Sequence, residues 1–268
     1  MSSNRARTRE RRKQREQERQ RSRRLLVVVA VVAIAVIGLV LVIITNQPTE
    51  AVIPESTVAQ YTGIPQSVNE DGFPVLGDPE APVQVVELSS FDCPHCGEFY
   101  QDVTPSLVER ARAGEISFTY VPLYGTGGIP NGEGAARGAI CAGEQDAFWV
   151  YHGTLFGWQA TYGNQALAGN RLSSLANNLE LDTGAWNACL NSAATNDVIV
   201  AARGTASSLE GFTGTPTVLV NGEIVPGTLS DVTAAIDAAL STAPAPAVQP
   251  TEDVPEATPE EATAEVSE

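Results

Sequence analysis

The 268-residue chain has very few basic residues after its first 24 positions. Residues 1–24 hold eleven of the sixteen Lys and Arg against three acids, a net charge of +8. Residues 46–268 hold five Arg, no Lys and twenty-nine acids, a net charge of −24. A region this acidic cannot neutralise a phosphate backbone, which argues against sequence-independent nucleic-acid binding by residues 46–268.

Cysteine and histidine are also scarce, with four Cys and two His in the whole chain. Cys93 and Cys96 form one Cys-x-x-Cys pair, whereas Cys141 and Cys189 lie 45 and 93 residues beyond Cys96 without a second such pair. Structural zinc normally takes four Cys or His ligands in paired spacings, so the pattern argues against a metal site. His152 lies among aromatic residues, and only one other His could join it as a ligand. This favours a packed helix residue over a base or ligand.

One long apolar run, from Leu25 to Ile44, follows the basic block. Its twenty residues span about 30 Å as a helix, the thickness of a bilayer's hydrocarbon core. Because positive residues stay on the cytoplasmic side, we predict a single transmembrane helix over residues 25–45, a cytoplasmic N-terminus and an extracytoplasmic remainder at the cell membrane.

A cleaved signal peptide is the alternative to this anchor. Its apolar region would be shorter, about 7–15 residues, and a small-residue cleavage site would follow it. The segment Thr45-Asn46-Gln47-Pro48 offers no such site. Anionic lipid headgroups satisfy the charge of residues 1–24, although a nucleic-acid role for that basic segment stays open.

Composition divides the rest of the chain into a linker, a domain and a tail. Residues 46–72 are polar and interrupted by three Pro, which predicts a flexible linker. Residues 242–268 contain five Pro and seven acids but no base or aromatic residue, which predicts a disordered acidic tail. Residues 73–241 remain for a single folded domain, in which no internal repeat is evident.

The first half of this domain has the pattern of a strand–helix–strand unit. Val83 to Leu88 and Ile116 to Val121 are short, β-branched runs typical of buried strands. Between them we predict one helix from about Pro94 to Ala113. Two parallel strands joined by a helix form a right-handed crossover, which indicates an α/β domain.

The second half is predicted to be helical and then to return to the sheet. Residues 132–208 are mainly helix formers, with breaks expected at Gly163 and around Thr183-Gly184. Residues 217–225 predict a hairpin around an Asn-Gly turn. Ser230-Asp231 is predicted to cap a last helix that ends near Leu240.

The chemistry centres on Cys93-Pro94-His95-Cys96, where the first strand passes into its helix. The first sulfur should lie at a helix N-terminus, where free N–H groups and the positive end of the helix dipole stabilise a thiolate. Pro94 suits the first helical position. A protonated His95 would add positive charge, so a Cys93–Cys96 disulfide should be oxidising. A purely structural bridge is the alternative, although one across two residues constrains almost nothing.

Cys141 and Cys189 form a second candidate pair, and both fall in predicted helices. In an exported domain, where oxidation persists, a structural disulfide is the expected state. A second redox relay is the alternative. Arg137 is the only base close in sequence, and a weakly activated sulfur suits a structural role better.

Several motifs, in order and spacing, resemble the DsbA family of thiol–disulfide oxidoreductases. They are Leu76-Gly77-Asp78-Pro79-Glu80-Ala81-Pro82, Phe91-Asp92-Cys93-Pro94-His95-Cys96, Phe148-Trp149-Val150-Tyr151-His152, and Gly214-Thr215-Pro216-Thr217 before Val220-Asn221-Gly222. The resemblance covers about residues 73–240. It implies a thioredoxin fold with a helical domain inserted at about residues 127–208, here preceded by a single transmembrane helix.

The resemblance also implies roles for individual residues. Cys93 would be the nucleophile and Cys96 its resolving, buried partner. Thr215-Pro216 would lie opposite them with Pro216 in the cis form, exposing the Thr215 backbone to an extended substrate. Glu87 matches a buried acid that assists proton exchange, and burial would raise its pKa. The alternatives are an ordinary trans proline at the start of an edge strand and a Glu87 exposed on one strand face.

The implied activity is the introduction of disulfide bonds into exported, unfolded proteins that carry Cys thiols, by exchange at Cys93 and Cys96. The implied partner is a quinone-linked membrane reoxidase of the DsbB or vitamin K epoxide reductase type, and no cofactor beyond the redox-active disulfide is expected. Two alternatives remain, a reductase or isomerase of exported disulfides and a non-redox binding module. The reduction potential distinguishes an oxidase from the first alternative, and the effect of Cys93→Ala distinguishes it from the second.

Overall fold

The structure is a computed structural model that describes residues 24, 26–40 and 50–242. The predicted tail from residue 243 onwards, the basic segment before residue 24 and the end of the predicted membrane helix lie outside the described residues. Residues 26–40 form helix α1, whose large apolar side chains are exposed. Within the described ranges, no helix combines the length and the hydropathy required to cross a bilayer.

Residues 50–72 belong to the folded domain, which corrects the prediction of a flexible linker. Helix α2 (Glu55–Tyr61) and strand β1 (Gln66–Val68) lie in this segment. The Tyr61 and Ile64 side chains are buried in the main core, and Trp158 donates a hydrogen bond from its indole N–H to the Val52 carbonyl at 2.9 Å. Pro54 does not interrupt structure here, because it occupies the N-cap of α2.

A six-stranded sheet organises the domain. Its strands are β1 (Gln66–Val68), β2 (Pro74–Leu76), β3 (Val83–Ser90), β4 (Ile116–Leu123), β5 (Thr217–Val220) and β6 (Glu223–Val225). Their order in the sheet is β1-β2-β4-β3-β5-β6. Strands β3 and β4 are parallel and all other pairs are antiparallel. Both predicted strands of the βαβ unit are confirmed.

The crossover between β3 and β4 contains two helices where one was predicted. Helix α3 (Pro94–Asp102) and helix α4 (Thr104–Arg112) are separated at Val103, which corrects the single helix predicted up to Ala113. Pro105 lies in the first turn of α4. Because proline has no N–H and restricts the residue before it, a continuous helix is broken here and a new one begins.

Five α-helices lie between β4 and β5, as the predicted insertion requires. They are α5 (Gly132–Gly143), α6 (Phe148–Tyr162), α7 (Gly169–Asn178), α8 (Thr183–Cys189) and α9 (Ala193–Ser208). The predicted break at Gly163 is confirmed, because α6 ends there. The predicted break around Thr183-Gly184 is also confirmed, since α7 ends at Asn178 and α8 begins at Thr183. Helix α8 begins at that point because the Asp182 carboxylate accepts hydrogen bonds from the N–H groups of Gly184 and Ala185.

The predicted hairpin and last helix are both present. Asn221 and Gly222 join β5 to β6 with φ angles of 50° and 86°, the left-handed turn that an Asn-Gly pair favours. Helix α10 (Leu229–Thr242) begins one residue before the predicted cap. Its capping residue is Thr228, whose hydroxyl accepts a hydrogen bond from the Asp231 N–H at 3.3 Å.

The two faces of the sheet have separate apolar cores. On one face, Phe118 of β4 packs against Trp149 of α6, with ring centroids 5.2 Å apart. On the other face, a smaller cluster joins Leu88 of β3 and Val121 of β4 to Ala202 of α9. The helical insertion therefore covers both faces and fixes the end of β3 that leads to Cys93.

The Cys141–Cys189 disulfide joins α5 to α8, with the two Cα atoms 5.7 Å apart, and the predicted pairing is confirmed. His152 is fully buried in α6 between aromatic rings, including that of Tyr120 at 4.7 Å between centroids. Burial lowers the pKa of His152 to about 3. The prediction of a packed histidine is therefore confirmed.

Candidate active site

Cys93 lies at the N-cap of α3, and Pro94 occupies the first turn, as the sequence predicts. Strand β3 ends at Ser90, so two residues separate the sheet from the sulfur. The backbone of Cys93 is extended, with φ −96° and ψ 117°. Cys93 and Cys96 are both free thiols in this structure. The local fold thus places the first sulfur over the free N–H groups of the α3 terminus.

The two thiols differ strongly in acidity. A hydrogen bond from the Cys96 thiol outweighs partial burial and lowers the pKa of Cys93 to about 5, with help from Thr215 and from the N–H groups of Cys96 and His95. Burial raises the pKa of the Cys96 thiol, and the hydrogen bond with Cys93 adds to that increase. At neutral pH the arrangement therefore favours a thiolate at Cys93 and a protonated thiol at Cys96.

His95 is exposed, and its Nδ1 lies 3.0 Å from a carboxylate oxygen of Glu98. The hydrogen bond with Glu98, the negative charge of that carboxylate and the nearby Cys93 sulfur raise the pKa of His95. The imidazolium form is therefore favoured beside the thiolate. A protonated His95 is the positive charge that the sequence predicts beside Cys93.

The Thr215-Pro216 peptide bond is cis and lies beside the first sulfur, so the alternative of a trans proline is wrong. The Cys93 Sγ lies 3.4 Å from the carbonyl oxygen of Thr215, which accepts the S–H only while Cys93 is protonated. The Thr215 hydroxyl lies 2.6 Å from that of Thr126, in the loop after β4. Substrate binding by Thr215 and Pro216 stays a prediction.

Glu87 is buried in β3 with 1% of its surface exposed, so the alternative of an exposed strand face is wrong. One carboxylate oxygen, Oε2, has no hydrogen-bond partner among the described residues. Loss of water raises the pKa of Glu87 to about 8. The charge of Glu87 also contributes to the raised pKa of Cys96. A role for Glu87 in proton exchange stays a prediction.

Sequence reasoning missed Asp92, the residue immediately before the first Cys. Its buried carboxylate accepts hydrogen bonds from the Gly125 N–H at 2.8 Å and from the Ser90 hydroxyl. Its main-chain carbonyl accepts the N–H of Ile129 at 3.2 Å. Asp92 therefore holds the loop after β4 against the start of α3. An acid at the end of an apolar strand is the signal that could have identified it.

The described ranges contain no cluster of three or more His, Cys, Asp or Glu that could hold a metal ion. The reactive atoms that this site presents are the sulfurs of Cys93 and Cys96. A stabilised thiolate next to a buried thiol is the arrangement required for thiol–disulfide exchange.

Residues 69–238 match a family model described as thioredoxin, which covers more than half of the chain. The chain belongs to this thioredoxin family. A thioredoxin-like oxidoreductase from Silicibacter pomeroyi is 27% identical with a TM-score of 0.55, covering 66% of this chain and 100% of its own. BdbD from Bacillus subtilis is 22% identical with a TM-score of 0.57, and the match covers 65% of this chain and 96% of BdbD. The thioredoxin fold with a helical insertion is thereby confirmed.

Curated relatives of this thioredoxin-family chain include antiporters and proteins named for disulfide chemistry. The antiporter NhaA 1 of Salinispora arenicola is 33% identical over 155 residues, 58% of this chain but only 22% of the antiporter. Disulfide bond formation protein D of Bacillus subtilis is 33% identical over 91 residues, 32% of this chain and 39% of the relative. A putative protein-disulfide oxidoreductase of Rickettsia typhi is 25% identical over 73% of each chain. The chain thus spans about a fifth of the antiporter's length.

Proposed function

We propose that this chain is a membrane-tethered, extracytoplasmic thiol–disulfide oxidoreductase that introduces disulfide bonds into exported proteins. The observation that carries the proposal is the position of Cys93 at the N-cap of α3 beside the fully buried Cys96, which lowers the pKa of the first thiol and raises that of the second. A stable Cys93 thiolate stabilises the reduced enzyme, which makes the oxidised enzyme a strong oxidant. The names of relatives that form or exchange disulfides support the same activity.

The reaction begins with the Cys93–Cys96 disulfide. A substrate thiolate attacks the Cys93 sulfur, the Cys93–Cys96 bond breaks, and Cys96 leaves and is protonated in its buried position. A second thiolate of the substrate then attacks the substrate sulfur of the mixed disulfide, and Cys93 leaves as a stabilised thiolate. Two electrons pass to the enzyme, and the substrate gains one disulfide.

Glu87 fits the proton transfer in this sequence. With its pKa raised to about 8, Glu87 is largely protonated at neutral pH and buried in the strand that leads to the active site. In the proposed mechanism it gives a proton to the departing Cys96 and recovers one afterwards.

Further turnover requires an electron acceptor. We assign this step to a quinone-linked membrane reoxidase of the DsbB or vitamin K epoxide reductase type, which would accept two electrons and reform the Cys93–Cys96 disulfide. The basic block at residues 1–24 and the apolar run at residues 25–44 support a tether that keeps the enzyme beside such a partner. Exported proteins with free Cys are the proposed substrates.

The direct test is the redox equilibrium of the full chain in detergent against glutathione. Mass spectrometry of alkylated peptides follows the Cys93–Cys96 and Cys141–Cys189 pairs separately. We expect mild glutathione buffers to reduce the first pair while the second resists. A Cys93–Cys96 pair that opens only under strongly reducing conditions would overturn the oxidase and favour a reductase. A Cys93→Ala chain that keeps its cellular effect would instead favour a binding module.

A further inference from the structure

The turn that presents Cys93 is hydrogen-bonded to the helical insertion through its main-chain carbonyls. Gln159, in the last two turns of α6, donates from Nε2 to the carbonyl oxygen of Phe91 at 2.8 Å and to that of Cys93 at 3.3 Å. The carbonyl between them, that of Asp92, accepts the Ile129 N–H. Three consecutive carbonyls are therefore fixed by groups from the same inserted domain.

We propose that Gln159 is a positioning residue for thiol–disulfide exchange, whose amide holds the Phe91 and Cys93 carbonyls and thereby sets the conformation that presents the Cys93 sulfur. This inference rests on the proposed function and deepens it. Gln159 does not itself touch the sulfur in any contact the structure shows. It acts on the main chain on both sides of Asp92.

Gly97 provides an independent sign that this contact is built into the site. Gly97 is buried in α3, and its N–H donates to the Cys93 carbonyl at 3.2 Å. A Cβ atom on Gly97 would collide with Oε1 of Gln159. Any larger residue at position 97 would therefore displace the amide, since the amide is the movable end of a flexible side chain. The Gly97–Gln159 pair fits together only with glycine at position 97.

The amide also acts on the sulfur through electrostatics. A carbonyl oxygen carries partial negative charge, and a donated N–H offsets that charge close to a thiolate. Without Gln159, the Phe91 and Cys93 carbonyls lose this donor and the turn loses its anchor to α6. Both changes disfavour the Cys93 thiolate, and hence the reduced enzyme.

The other charges around the sulfur are left in place by this substitution, because Gln159 bonds only to main-chain carbonyls in its contacts with the active-site turn. The titratable groups around Cys93 are Cys96, His95, Glu98, Glu87 and Asp92. A change in the Cys93 titration after substitution of Gln159 is therefore a change in the turn and not the loss of a neighbouring charge.

The test compares Gln159→Ala with the unmodified full chain in detergent. We expect the Cys93 pKa, followed by ultraviolet absorbance of the thiolate, to rise by about one unit, and the glutathione equilibrium to shift about tenfold toward a weaker oxidant. Gln159→Glu, which replaces the donor with a negative charge, should shift both further. Gln101→Glu adds the same charge at an exposed position of α3 and should leave both nearly unchanged.

Gly97→Ala completes the test as a double-mutant cycle. In the unmodified chain it should displace the Gln159 amide and raise the Cys93 pKa in the same direction. In the Gln159→Ala chain, where the collision is absent, it should add little. A folded Gln159→Ala chain with an unchanged Cys93 pKa and glutathione equilibrium would overturn the inference and leave the proposed function standing. If the Cys93–Cys96 disulfide of the unmodified chain opens only under strongly reducing conditions, the proposed function is overturned. The Cys93 pKa of the Gln159→Ala chain would still test whether Gln159 is a positioning residue.

Discussion

Glu87 and Cys93 show how two buried acids close to one active site acquire opposite acidities. Glu87 is inside the sheet with an unpartnered carboxylate oxygen, so loss of water dominates and its pKa rises to about 8. Cys93 is less enclosed and receives several hydrogen bonds at the N-terminus of α3, so these donors dominate and its pKa falls to about 5. The number of donors, more than burial alone, decides the direction at each residue.

The raised pKa of Glu87 predicts that the protein loses stability as the pH rises towards 8. Above its ordinary pKa of 4.5 the unfolded chain has released this proton, whereas the folded protein keeps it until about pH 8. Folding then binds a proton and becomes less favourable with increasing pH, by about 1 kcal/mol between pH 7 and 8. Glu87→Gln removes this term and should be about 3 kcal/mol more stable at pH 7. Denaturant unfolding of the full chain in detergent measures both.

Oxidised protein is the right material for this measurement, because a disulfide prevents Cys93 and Cys96 from titrating. His152 acts in the opposite direction, since its lowered pKa removes stability only as the pH falls below its ordinary value of 6.5. His95, whose pKa is raised, loses stability in the same direction as Glu87 but is present in both proteins, so the difference between their pH dependences reports Glu87. If the free energy of unfolding changes equally with pH in the unmodified and the Glu87→Gln proteins, Glu87 is already ionised in the folded state.

At the scale of the elements, the Cys141–Cys189 disulfide ties α5 to α8 within the insertion that covers the sheet. The 48-residue separation predicts that removing the bond costs about 4 kcal/mol of unfolding free energy, because the unfolded chain regains the entropy that the loop had lost. Chemical denaturation of the Cys141→Ala/Cys189→Ala chain tests this value.

The same double variant separates a structural disulfide from a redox relay. A structural bond predicts an unchanged glutathione equilibrium at Cys93–Cys96 under conditions where the variant is folded. The single variant Cys93→Ala serves as the matched control, since it should abolish exchange without the same loss of stability. A double variant of normal stability that no longer turns over would favour the relay.

The elements that were predicted well are those whose signals are local. The β-branched run of β3, the Asn-Gly turn before β6 and the Cys93-Pro94 start of α3 all depend on neighbours in sequence. Helix α2 was missed because it is only seven residues long and most of them are polar, and its place in the fold depends on burial of Tyr61 and on contacts distant in sequence. Arg112 of α4 shows this, since it donates hydrogen bonds to two carbonyls at the end of α2.

In the active site, too, residues in local motifs can be predicted from the sequence, whereas residues that reach the site through distant contacts cannot. Cys93, Cys96, His95 and the Thr215-Pro216 pair belong to short motifs that can be identified from the sequence alone. Gln159 belongs to no motif, and its link to the site is a contact across 66 residues of sequence that only the packed α6 creates. Main-chain contacts of this kind leave no local pattern, so the support of an active site is less predictable than its reacting atoms.

At the scale of the whole molecule, the charge pattern divides the chain into two parts of opposite sign. The first 24 residues carry +8, residues 46–268 carry −24, and the apolar run lies between them. Positive residues are retained on the cytoplasmic side of a membrane, whereas the acidic region has no comparable cluster of bases. This asymmetry supports one orientation, with Cys93 outside the cytoplasm, where disulfides persist.

Cysteine labelling of intact cells tests this orientation in a Cys93→Ala/Cys96→Ala background. Val200 lies in α9 with 67% of its surface exposed, so Val200→Cys should react with a membrane-impermeant maleimide added outside the cells. Ser3→Cys, in the basic segment, is the matched control and should react only after the membrane is permeabilised. Each variant carries one added cysteine, and the two cysteines lie on opposite sides of the apolar run. The reverse labelling pattern would therefore show the opposite topology. Labelling of both positions in intact cells would contradict the proposed membrane tether. The proposed thiol–disulfide exchange at Cys93 would then still be tested by the glutathione equilibrium.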